Sequence, residues 1–148
     1  MVEWFDDLVL GMRFKSPEKR VTREEIKRFA SEYDPQPYHL DEAAAERSVF
    51  GGLAASGWHT ASMAMRLAVE TRPFGPHPLL GLGVDELRWL APVRPDDVIH
   101  LEGEVVELTR RDRSRKGSPG SNGRRSISAA SRSTRSTRLQ SCRAAPPD

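Results

Sequence analysis

Hydrophobic and polar positions change period several times along the chain, and each change marks an element. A lead-in segment from Trp4 to Phe14 has a turn at Gly11. Thr22 then stands three residues ahead of Glu25, the spacing of a capping box that satisfies the first N–H groups of a helix. Ile26, Phe29 and Ala30 follow three and four apart and line one helical face. The helix stops before Asp34-Pro35, because a residue ahead of proline avoids the α region. Asp34 to Leu40 is a loop stiffened by Pro35 and Pro37, Asp41 caps a short Ala-rich helix from Glu42 to Arg47, and Phe50-Gly51-Gly52 turns the chain.

From Leu53 to about Thr71 the residues are apolar or small nearly all round, with Arg66 and Glu70 the only charges before the end. That pattern predicts a helix buried on most sides, roughly 27 Å long at 1.5 Å per residue. Pro73, Pro76 and Pro78 make the next loop. Leu79 to Val93 and Val98 to Leu108 read as strands, joined by a turn at Pro92, Pro95 and Asp96-Asp97. The second alternates cleanly, Ile99, Leu101, Gly103 and Val105 against His100, Glu102 and Glu104. One buried helix followed by long strands predicts an α+β fold, a sheet curled around the helix.

Composition changes this picture at one place. All three Trp, both Tyr and all five Phe lie before Thr109. Residues 110–148 hold no aromatic residue and no Val, and Ser and Arg make up 19 of these 39 positions. Such a stretch buries too little apolar area to offset about 1–2 kcal/mol of backbone entropy per residue. The expectation is a single domain over residues 1–109 and a disordered basic tail over 110–148. The overall charge of +2 hides the same division: the tail carries a net +9 and the body a net −7. An acidic body offers no nucleic-acid surface. No run of about 18 apolar residues predicts a membrane span. Glu3, Asp6 and Asp7 without a cationic flank argue against a secretory leader. A lone cysteine, Cys142, permits neither an internal disulfide nor a cysteine metal site, so a reducing, cytoplasmic setting is expected.

Candidate chemistry falls in two segments. In Asp34-Pro35-Gln36-Pro37-Tyr38-His39, a carboxylate and an imidazole stand five apart on a stiff loop. Together they make a general acid/base pair, and the prolines reduce the entropy of holding it. The plainer alternative, favoured on spacing alone, is an Asp ending a helix in an Asx-turn beside a loop histidine. In Phe50-Gly51-Gly52-Leu53-Ala54-Ala55-Ser56-Gly57-Trp58, small residues open the buried helix. Its first turn presents N–H groups and a positive dipole end to a carbonyl oxygen gaining charge. Close helix–sheet packing explains the same residues equally well. His59 reads as a satisfied core or pocket histidine, and His77 and His100 as surface residues. No His/Asp/Glu cluster has metal-site spacing. Ser56 and Ser62 lie outside any nucleophile-elbow pattern, so an acyl-enzyme is not expected.

Taken together, Phe29-Ala30, Asp34, Pro37, His39, Asp41, Ala44 or Ala45, Phe50, Ala55 and Gly57 resemble the MaoC-like dehydratase family, the (R)-specific enoyl-CoA hydratases, over roughly residues 5 to 108. The resemblance implies the hotdog fold, an antiparallel sheet wrapped around one long central helix. It implies that Asp34 and His39 activate the water added to a trans-2-enoyl thioester. The N–H of Gly57 would hold the thioester carbonyl, with Ser56 and Trp58 beside the substrate. It further implies a homodimer with coenzyme A near the subunit boundary and no metal or redox cofactor. Gln36 stands where the family has Asn and Ser56 where it has His; both keep hydrogen-bonding ability. Trp58 reads first as core packing, with shaping of the acyl pocket as the alternative.

A hotdog needs further strands after Leu108, where the Ser/Arg-rich tail begins. The sequence thus predicts that the C-terminal strands are missing or altered, as a frameshift would leave them, with a sheet edge exposed. A basic tail that binds nucleic acid is the rival reading. For the body, a hotdog acyl-CoA thioesterase and a non-catalytic acyl-thioester-binding protein are the alternatives to the hydratase.

Overall fold

The computed structural model describes residues 7–73, 75–76, 81–108, 127–133 and 142–144. In chain order the elements are β1 (Arg13–Lys15), β2 (Lys19–Arg20), α1 (Arg23–Tyr33), α2 (Pro37–Leu40), α3 (Glu42–Glu46), α4 (Gly57–Thr71), β3 (Gly81–Val84), β4 (Val98–Val105), β5 (Ile127–Ser133) and β6 (Cys142–Ala144). The strands form one antiparallel sheet in the order β1-β4-β5-β6-β3, and β2 also pairs with β4.

β4 bears out its sequence pattern. Ile99, Leu101, Gly103 and Val105 are buried, and the residues between them are half-buried. The buried face meets α4 through Met63, Ala64 and Leu67, with Val21, Ile26, Leu53 and Val93 closing the core. Gly103 is there for space. A Cβ built on it would overlap the ring of Phe14, which lies opposite on β1.

α1 begins as its sequence predicts. The Thr22 side chain accepts from the Glu25 N–H, and Glu25 returns a bond to the Thr22 N–H. Asp41 caps α3 by accepting from the Ala44 N–H.

Four expectations differ from the structure. Pro37 to Leu40 is a helical turn rather than loop, since Pro at the first helical position has its φ preset and gives up no bond. The long helix starts at Gly57, not Leu53. Ser56 caps it by accepting from the Trp58 N–H, and Leu53–Ser56 is buried outside any helix, with the Ala55 N–H donating to the Val93 carbonyl. The helix is therefore about 22 Å long, and Trp58, Ser62, Met65 and Val69 leave one stripe of it exposed. Of the predicted strand from Leu79 to Val93, Leu79 and Leu80 lie outside the described residues, and among the described ones the strand β3 covers Gly81–Val84, with a register shift between Gly81 and Gly83; Glu86 has φ 54°, and Pro92 follows.

The tail supplies the fourth difference. The sequence predicts disorder across 110–148 with C-terminal strands missing or altered, yet residues 127–133 and 142–144 are strands. Seven consecutive residues of β5 pair with β4, Ile99 opposite Ser133 through Val105 opposite Ile127. Ladder bonds come from backbone groups that every residue but proline carries in full, and Ile127–Ser133 contains neither proline nor glycine. The edge of β4 that a truncated sheet would leave open is thereby paired. The rest of the tail lies outside the described residues.

Overpacking a filled core position typically costs about 1–3 kcal/mol. Gly103→Ala is expected to lower stability by that amount in urea unfolding. Combining it with Phe14→Leu recovers part of the loss; a neutral Gly103→Ala would show that Phe14 yields freely.

Candidate active site

α1 ends at Asp34, whose backbone N–H still bonds the Ala30 carbonyl. Two residues on, the Gln36 N–H donates to the Asp34 carbonyl at 2.7 Å, and Pro37 starts the next turn at once. One helical turn brings His39 inward. The two proline-flanked steps thus convert five residues of sequence into a carboxylate facing an imidazole, with Asp34 Oδ2 3.5 Å from His39 Nε2.

The imidazole is 4% exposed. Tyr38 packs edge-on against it at 4.6 Å between centroids, and Phe50 lies 6.2 Å away. His39 Nδ1 is 2.7 Å from the carbonyl oxygen of Ala54. A carbonyl can only accept, so Nδ1 carries the hydrogen, and the neutral ring presents a bare lone pair at Nε2.

Asp34 is held ionised. Hydrogen bonding from the Ser56 side chain is the largest influence keeping its pKa below the usual carboxylate value; partial burial works against it, and Gln36 and the charge of His39 assist. The Gln36 Nε2–H donates to Asp34 Oδ1 at 2.7 Å. The Tyr38 hydroxyl donates in turn to Gln36 Oε1.

The second predicted segment meets the first here. Ser56 is buried, its hydroxyl engaged with Asp34 and the Trp58 N–H. Gly57 is the first residue of α4, so its N–H has no acceptor within the helix. Trp58 overturns the core-packing expectation. It is 61% exposed, and its ring stands edge-on to Trp89 with centroids 5.6 Å apart. Trp89 escaped the sequence reading. Its indole Nε1–H donates to the Gly57 carbonyl at 2.8 Å, a contact from 32 residues away with no local signal. His100, expected at the surface, is half-buried beside Glu102 at 3.1 Å. His77 lies outside the described residues. Among the described residues no helix is long and apolar enough to cross a membrane.

The overall fold is shared with solved structures. One is the MaoC-like dehydratase of Rhodospirillum rubrum, 41% identical, with a TM-score of 0.74 over 95% of this chain and 92% of that one. Another, an (R)-hydratase of Pseudomonas aeruginosa, is 23% identical, with a TM-score of 0.71 over 97% and 85%. The architecture is the hotdog fold. Residues 8–122 match the family model described as the MaoC like domain, and the chain belongs to that MaoC-like dehydratase family. Among curated relatives, a 3-hydroxybutyryl-CoA dehydratase of Methylorubrum extorquens is 33% identical over 116 residues, 77% of this chain and 71% of the relative.

His59 is a core histidine, as its sequence position predicts, but not the satisfied one expected. It is 6% exposed and stacks on Phe29 at 4.8 Å. Its Nδ1 is buried without a hydrogen-bond partner among the described residues. Burial pushes its pKa below the ordinary 6.5; Glu25 opposes the shift, while Lys19 and Arg28 add to it. A depressed folded-state pKa means that the neutral ring's contribution to stability is complete above 6.5 and is lost as pH falls through the folded value. The lowered carboxylates Glu25, Asp34 and Glu42 start from 4.5 or less and titrate below this window. The urea midpoint is expected to fall between about pH 7 and about pH 5, and to fall less in His59→Phe. Parallel curves for the two proteins would remove His59 as the cause.

Proposed function

We propose that this protein adds water reversibly across the α,β double bond of a trans-2-enoyl thioester, with coenzyme A as the carrier. The observation that carries this reading is a pair of facing acceptors. Asp34 Oδ2 and His39 Nε2 lie 3.5 Å apart, and the Ala54 carbonyl leaves Nε2 without a hydrogen on the neutral ring. With the ring neutral, neither atom can satisfy the other. A water molecule satisfies both by donating one hydrogen to each, which turns its lone pairs outward toward an electrophilic carbon.

In the hydration direction the water oxygen bonds Cβ as one of its protons passes to His39 Nε2. The π electrons of the double bond move through Cα onto the thioester oxygen. The Gly57 N–H, at the positive end of α4, stabilises the resulting enolate. Cα then takes the proton back from the imidazolium and the ring returns to neutral, so atoms and charge balance. The product is a 3-hydroxyacyl thioester, and the same steps reversed dehydrate it. Asp34 stays anionic throughout; it orients the water and steadies the imidazolium.

The family and the relative named as a 3-hydroxybutyryl-CoA dehydratase support this chemistry. A homodimer completes the reading. The stripe of α4 carrying Trp58, Met65 and Val69 is exposed, and Trp89 and Leu90 are exposed as well. Apolar area of this kind suits a second copy.

Removing a positioned acid/base group typically costs about 10²–10⁴-fold in rate. Asp34→Asn and His39→Ala are each expected to lose turnover of a short trans-2-enoyl-CoA to that extent, followed by loss of the conjugated chromophore. Undiminished rates would remove the residue from the mechanism. Release of free thiol instead would make the protein a thioesterase, and binding without change a carrier. Ser56→Ala, which withdraws the main hydrogen bond to Asp34, is expected to raise the pKa of Asp34 as read by NMR titration. An unmoved pKa would assign the lowering to Gln36 and His39.

A further inference from the structure

Gly57 has a difficult task if its N–H is to receive the developing charge. Glycine is the most conformationally free residue, and the first turn of a helix is where helices fray. An oxyanion donor works only when its direction is already set before charge develops. Something outside the helix must hold this residue.

Trp89 does so from two sides. Its indole N–H donates to the Gly57 carbonyl at 2.8 Å. Its ring lies directly against the Gly57 Cα, since a Cβ built there would sit 2.5 Å from the indole Cε2 and 2.7 Å from Cδ2. Trp58 packs edge-on against the same ring. Two further bonds run beside this one: the Ala55 N–H donates to the Val93 carbonyl at 2.7 Å, and the Arg94 guanidinium donates to the Phe50 carbonyl. The segment from Trp89 to Arg94 therefore lies along Phe50–Gly57 and is tied to it at three points. Only the Trp89 tie reaches the helix itself.

We infer that Trp89 is a positioning residue, which holds the Gly57 peptide in register for the thioester oxygen through its indole N–H and its ring face. The inference rests on the proposed function, because it takes the Gly57 N–H as the donor. Its consequence is specific. Trp89 governs the charge-developing step rather than the capture of coenzyme A, so it shows in kcat more than in KM.

The test uses the full chain and Trp89→Phe, which keeps an aromatic side chain at this position and deletes the indole N–H together with the five-membered ring that carries it. Removing an oxyanion donor outright costs about 10²–10³-fold; loosening one through its support is expected to lower kcat about 5- to 20-fold, with KM unchanged within about two-fold. Bound 2,4-hexadienoyl-CoA supplies a readout independent of turnover. Its absorbance moves to longer wavelength when the carbonyl is polarised, and that shift is expected to shrink in Trp89→Phe while the unfolding temperature is held. A purely structural tryptophan would lower stability and leave the shift of the folded fraction unchanged, overturning the inference.

A second pair of variants carries the question if Trp89→Phe is too unstable. Gly57→Ala drives a methyl into the ring, so Gly57→Ala and Trp89→Ala act on one contact, and the double variant is expected to be no worse than the weaker single one. Multiplicative losses overturn the coupling. An unsubstituted protein that hydrates no enoyl thioester brings down the proposed function and this inference with it. An active protein that Asp34→Asn inactivates and Trp89→Phe leaves untouched overturns the role of Trp89 alone.

Discussion

The site hangs on four buried residues outside any helix or strand, Leu53 to Ser56. Their backbone polar groups are out of reach of water and must find partners inside the protein. The Ala55 N–H finds the Val93 carbonyl, and the Ala54 carbonyl finds His39 Nδ1. The second bond decides the chemistry, because it determines which ring nitrogen carries the hydrogen. A segment that was merely the start of a helix would have spent that carbonyl on its own N–H four residues on. The helix begins late, at Gly57, and the carbonyl is free to orient an imidazole.

The same segment sets the electrostatics. Ser56 caps α4 and at the same time hydrogen-bonds Asp34, so one hydroxyl links a helix start to the charge state of a carboxylate. Charge-assisted hydrogen bonds favour the ionised form by more than partial burial disfavours it, and Asp34 stays anionic. His39, buried among Tyr38, Phe50 and the Ala54 carbonyl, faces that anion across 3.5 Å. With the ring neutral, the arrangement faces one acceptor with another, which on the proposed function is a place for water.

Around this hub the sheet supplies a rigid wall rather than chemistry. β4 presents alternating buried residues to α4, and the tight seat of Phe14 over Gly103 brings β1 against it. β5 continues the sheet from a Ser- and Arg-rich sequence, since ladder pairing draws on backbone groups and tolerates side chains that could not build a core.

Local physics made much of this legible in the sequence. The Thr22–Glu25 capping box, the stop at Asp34-Pro35, the Asp41 cap and the period-two run of β4 each depend on neighbours a few residues away, and each is where its pattern predicts. That Asp34 and His39 lie close was legible because the residues between them are few and two are proline; their reading as an acid/base pair came with the family resemblance, since spacing alone favoured an Asx-turn beside a loop histidine. The rest needed contacts over long separations. The start of α4 was misread because Leu53–Ser56 is as apolar as a buried helix, while its Ala55 N–H bonds the distant Val93 carbonyl instead of a helical one. The tail strands were misread because their composition predicts no core, while pairing with β4 asks for none. The tautomer of His39 and the support of Gly57 were beyond reading, since Ala54 and Trp89 carry no local mark of the atoms they touch. Sequence by itself determined which groups could do chemistry. The tertiary structure decided which of their atoms face each other, because hydrogen bonds of 2.7–2.8 Å to His39 and Gly57 exist only once distant segments are packed together.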